Sequence, residues 1–125
     1  MNKRNKLDYG FCPASPVLEW FSDKWNFVVL IKISQGAPIR FGELFRQIPD
    51  ISEKMLSSTL HTLETDGLID RHVFPEVPPR VEYSLTELGN GFIPHMENLM
   101  AWGHDNIGKI LRNREKNTQH QKNNP

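Results

Sequence analysis

Cysteine is almost absent from this 125-residue chain, which has one, Cys12. A single thiol excludes an internal disulfide, so the fold is not a stapled one, and a reducing compartment fits. Long apolar runs are missing too. The longest, Phe27 to Ile31, falls far short of the roughly 20 residues that span a bilayer. The opening MNKRNKLDYG lacks the apolar centre of a signal peptide. A cytoplasmic protein with no membrane partner is expected. Catalytic signatures are equally scarce: there is no GxSxG elbow, no glycine loop to cradle phosphate and no HExxH. His61, His72, His95, His104 and His120 never stand four residues apart, so no metal site and no cofactor are expected. The chain does not read as an enzyme. Its length holds one hydrophobic core without a separate ligand-binding domain, so any effector must act on that same domain.

An excess of either charge is also lacking, with 15 Lys and Arg against 15 Asp and Glu. The balance hides a split. Lys3, Arg4 and Lys6 lie in the first ten residues, and Arg112, Arg114, Lys116 and Lys122 outnumber Glu115 in the last fourteen. That leaves eight cationic against fourteen anionic side chains between residues 7 and 111. A nucleic-acid binder ordinarily concentrates positive charge, because neutralising phosphates supplies much of its affinity. Here the body is acidic, and any such function must rest on arrangement.

The periodicities are informative. SPVLEWFSDKWNFVVLIKISQG predicts two helices, the first opened by Ser15 and Pro16, the second capped by Asp23 and ended at Gly36. The second has almost no polar stripe and is expected at the centre of the core. FGELFRQI spaces Phe41, Leu44, Phe45 and Ile48 as one helical face, and Pro49-Asp50 closes it. Ser52 then caps a helix whose stripe is Leu56, Leu60 and Leu63 and whose stop is Gly67. Two helices joined by about four residues form a helix-turn-helix. Alternation at Ile69 and Val73, then at Val81, Tyr83 and Leu85, predicts a two-stranded hairpin around the stiff tip PEVPP. Thr86 caps a last helix with Leu88, Phe92, Met96, Leu99, Gly103, Ile107 and Ile110 on one face, which Pro94 is expected to kink or divide. The predicted class is α+β, mainly α: a winged helix-turn-helix with a two-stranded β wing and a long C-terminal helix. Residues 1–10 read as a flexible basic arm, 11–111 as the winged-helix domain and 112–125 as a polar tail too hydrophilic to order. Three-helix readers of this order insert the second helix of the pair into the major groove, and the hairpin reaches the neighbouring backbone or minor groove.

The strings Cys12-Pro13, DKW at 23–25, RFGEL at 40–44, LETDGLIDR at 63–71, PEVPPRVEYSLTELG at 75–89 and AWG at 101–103 resemble the HxlR-type helix-turn-helix family over roughly residues 11–107. The resemblance implies a bacterial or archaeal transcriptional regulator of MarR-like architecture. It also implies a homodimer formed by the terminal helices, palindromic operator DNA as partner and, in some members, a response to oxidants or electrophiles through an N-terminal cysteine.

Candidate DNA-binding residues are set by position. Lys54, Ser58, His61 and Thr65 oppose the leucine stripe, with Ser52, Ser57 and Thr62 beside them; small hydroxyls and a cation can approach phosphates and base edges. Relatives commonly carry Arg or Lys where this chain has Thr59 and His61. Arg80 ends the wing tip, with Arg71 and His72 on the strand opposite, and Arg40 opens the first helix of the motif. Trp20, Phe92, Met96, Leu99, Met100 and Trp102 read as core and dimer seam, with room for a small apolar effector between subunits. Cys12 is either a small buried residue or a sensor thiol, which requires a lowered pKa and access. The competing reading is a winged helix used for protein interaction, with DNA binding weak or lost, as the acidic body would favour.

Overall fold

The computed structural model describes Trp20 and residues 22–123. Cys12, the basic arm and the Ser15-Pro16 helix start lie outside them; Trp20 and Ser22 are helical. The described chain forms two units, one ending at Gly91 and one beginning at Phe92.

In the first unit, helix α1 (Lys24–Gly36) opens at Asp23, whose Oδ1 accepts the Trp25 amide at 2.9 Å. Its nearly continuous apolar run is buried as that pattern demands: Val29, Leu30 and Ile33 are inaccessible, and Ile31 nearly so. Buried Asn26 is satisfied by donating to the Trp20 carbonyl at 3.3 Å. After a short strand β1 (Ile39–Arg40) come helices α2 (Phe41–Gln47) and α3 (Glu53–Thr65). Between them Ile48 and Ile51 turn inward, while Asp50 takes a left-handed φ of 70°, which Asp tolerates better than most residues. Ser52 caps α3 by accepting the Met55 amide at 3.0 Å. Gly67, at φ 79°, ends it, and the Leu68 amide returns to the Leu63 carbonyl at 2.9 Å.

Strands β2 (Ile69–Phe74) and β3 (Arg80–Leu85) form the expected hairpin, in the register Ile69 to Leu85 through Phe74 to Arg80. The sheet has a third strand that the sequence did not announce. β1 pairs antiparallel with β3, Ile39 opposite Tyr83 and Arg40 opposite Glu82, giving the order β1-β3-β2. A two-residue strand is too short to display alternation, which is why periodicity finds only the hairpin. Leu30 and Ile33 of α1, Leu44 of α2, Leu56 and Leu63 of α3, and Ile39 and Ile69 of the sheet are all essentially inaccessible and make one core. Each contributes about 1.5–3 kcal/mol relative to exposure.

Helix α4 (Glu87–Asn123) starts at a knot of backbone contacts. The Thr86 hydroxyl donates to the Gly67 carbonyl at 2.6 Å and accepts the Gly89 amide at 3.1 Å, while the Thr86 amide donates to Leu68 at 3.1 Å. Gly89 is buried there, and any Cβ on it would collide with the Leu68 carbonyl oxygen.

Two expectations about α4 concern its interior and its end. Pro94 does not divide it: the helix continues through that residue, which withholds only the single N–H that would reach the Asn90 carbonyl. The helix also runs on through residues 112–123. Tail composition bears on whether a segment can build a core. Extending an existing helix is a lesser demand, because nucleation is already met and Arg, Glu, Lys and Gln are good helix formers.

Candidate nucleic-acid interface

Helix α3 is divided sharply by environment. Leu56, Leu60 and Leu63 face the core, and Thr59 joins them at 3% exposure. Thr59 is therefore withdrawn from the exposed face of the helix. On the opposite side Lys54, Ser57, Ser58, His61 and Thr65 are exposed, as is the cap Ser52, and Thr62 is half-buried at the flank. The candidate residues of α3 thus share one accessible surface, flanked by exposed Glu53 and Glu64. Among the described residues Lys54 forms no ion pair; the salt bridges there lie on the wing.

The register of the sheet sorts the remaining candidates. Because side chains alternate along a strand, Arg40, Glu82 and His72, aligned across the three strands, share one face with Arg80 and Phe74. Arg71 aligns with Tyr83 on the other face. Arg40 and Arg80 both line an open cleft of about 420 Å³ between the start of α2 and the wing tip. Their states differ. Arg40 is exposed, whereas Arg80 is held by Glu76 and Glu82, each at 3.4 Å, and stacks its guanidinium over the Phe74 ring at 4.0 Å. The approach of Arg80 Nε to Glu82 is an electrostatic contact only, since that buried nitrogen has no hydrogen-bond partner among the described residues. Spacing along β3 carried a signal for this clasp: Arg80 and Glu82 stand two apart, hence on one face.

A family model described as HxlR-like helix-turn-helix matches residues 20–110. The chain belongs to the HxlR-like helix-turn-helix family. An HTH-type transcriptional regulator of Methanothermobacter thermautotrophicus is 45% identical over 96 residues, covering 77% of this chain and 72% of its own. Among solved structures, the transcriptional regulator YodB of B. subtilis in its reduced form is similar at 34% identity and TM-score 0.65, over 74% of this chain and 90% of that one. The redox regulator HypR in its reduced form is similar at 35% identity and TM-score 0.73, over 80% and 98%. This HxlR-type chain is accordingly a helix-turn-helix transcriptional regulator and not an enzyme, with a mainly helical winged fold. No helix among the described residues is long and apolar enough to cross a membrane.

The second unit of the HxlR-type chain presents apolar surface. On α4, Met100, Ile107 and Leu111 share a helical face and are 42–50% exposed, Leu99 at the edge of that face is 55% exposed, and Trp102, further round the helix beyond Leu99, is 58% exposed. Phe92 and Trp20 are half-buried. Met96, also expected in the seam, is 1% exposed. Two features were not foreseen from the sequence. One is the carboxylate clasp on Arg80; the other is Met55, a large apolar side chain on α3 that stays 40% exposed.

Proposed function

We propose that the protein acts as a homodimer on palindromic operator DNA in the cytoplasm, with α3 as the recognition helix. The observation that carries this reading is the accessible face of Lys54, Ser57, Ser58, His61 and Thr65, backed by a fully buried leucine stripe. Such a helix is rigidly supported from behind and free in front, as insertion into a major groove requires. Ser52, Thr62 and Arg40 stand where they would meet phosphates, and Arg80 supplies the wing contact once it exchanges carboxylate for phosphate. The second copy covers the seam of Leu99, Met100, Ile107 and Leu111, too large an apolar stripe to leave in water, with Trp20, Phe92 and Trp102 adding to the interface. A small apolar effector would lodge between the subunits.

The test is an electrophoretic shift with DNA from the gene's own upstream region across a salt series. Binding that weakens with salt, and a salt dependence that flattens in Lys54→Ala, support the reading. Absence of any shift at low salt favours the protein-interaction module, which the anionic excess of residues 7–111, fourteen against eight, and the occupied Arg80 would suit. A redox or electrophile response through Cys12 is supported by the likeness to the redox regulator HypR. Diamide or a quinone should then change operator affinity in the wild type and not in Cys12→Ser; equal responses would leave the thiol structural.

A further inference from the structure

Helix α3 carries one apolar side chain that its core-facing stripe does not use. Leu56, Leu60 and Leu63 are at most 2% exposed, whereas Met55 is 40% exposed. Its backbone is fixed, because its amide donates to the Ser52 cap at 3.0 Å. Met55 therefore sits in the first turn of α3, the part of a recognition helix that meets base edges. At 100° per residue it neighbours Ser58 and Thr62, on the flank of the face formed by Lys54, Ser58, His61 and Thr65. The small Ser58 leaves room for close approach.

In the major groove the one apolar group on any base pair is the C5-methyl of thymine; the same position of cytosine lies beside an amino donor that an apolar chain cannot satisfy. An unbranched, polarisable thioether moulds to a stepped surface of that kind. We propose that Met55 is a specificity-determining residue, packing on the C5-methyl of a thymine in each half-site, an inference that rests on α3 being the recognition helix.

The test compares an upstream-region fragment amplified with dTTP against the same fragment amplified with dUTP, since uracil lacks only the methyl. Wild type, Met55→Ala and Met55→Leu are titrated with both. Wild type should bind the uracil fragment about fourfold more weakly per methyl contacted, the equivalent of one buried carbon. Met55→Leu should keep that discrimination and Met55→Ala lose it, binding both fragments as wild type binds uracil DNA. Equal thymine-to-uracil ratios in wild type and Met55→Ala would overturn the assignment, while both proteins still shifted DNA. Loss of all shifts by the wild type would instead overturn α3 as the reader. Thermal unfolding of Met55→Ala should match the wild type, and a marked fall would place Met55 in packing and overturn the contact.

Discussion

Arg80 shows how a residue's type and its availability differ. An arginine at the tip of a wing is placed to meet a phosphate, yet here two carboxylates at 3.4 Å and a phenyl ring at 4.0 Å hold it. The strength of that hold decides whether DNA can claim the guanidinium. With Glu76 half-exposed and Arg80 27% exposed, such pairs are worth about 0–1 kcal/mol each, and the ring adds about 0.5–1 kcal/mol. A phosphate delivered by α3 docking can displace a carboxylate at that cost. Glu82→Gln should therefore tighten DNA binding, by up to about fivefold for a pair of that worth, and Arg80→Ala should weaken it across all sequences while lowering the salt slope by about one. Titrations at several salt concentrations check both; an unchanged slope in Arg80→Ala would show that the clasp holds on DNA. Lys54 has no such competitor among the described residues, and Lys54→Ala should lower the slope by about one in the same assay.

Among the elements, the junction before α4 explains the wording of TELG at 86–89. Thr86 serves two backbone partners with one hydroxyl, and Gly89 lies where only a hydrogen fits against Leu68. Gly89→Ala should lose about 1–3 kcal/mol through overpacking against rigid backbone, read by urea unfolding. Ser52→Ala removes the α3 cap and should cost about 1 kcal/mol; no change in the midpoint would mean that the cap bond contributes nothing. The sequence carried the caps Asp23, Ser52 and Thr86, the stop at Gly67 and the hairpin, because each depends on contacts within a few residues or on a repeating period. It did not carry β1, whose two residues become a strand only because β3 lies beside them.

Taken whole, the molecule pairs an acidic body with basic ends and leaves an apolar seam on α4 uncovered. Leu99→Asp or Ile107→Asp would place a charge in that seam. Each should turn a dimer into a monomer in sedimentation velocity and abolish the DNA shift, because one recognition helix reads too few base pairs. A wild-type monomer at micromolar concentration would remove the dimeric mechanism. Truncation after Leu111 tests the helical extension: side chains 112–120 are all exposed and bury no apolar surface, so the melting temperature should stay unchanged while far-ultraviolet ellipticity falls.

The sequence by itself determined the helix-turn-helix, the wing and the leucine stripe that orients α3, since hydrophobic period and capping chemistry act locally and survive without knowledge of neighbours. Tertiary structure alone decided which side chains remain accessible. Thr59 and Met96 are withdrawn and Met55 is left exposed, and Arg80 is clasped by Glu76 and Glu82. The physical reason is that exposure and ion pairing across strands depend on what lies nearby in space, and chain spacing leaves that undetermined.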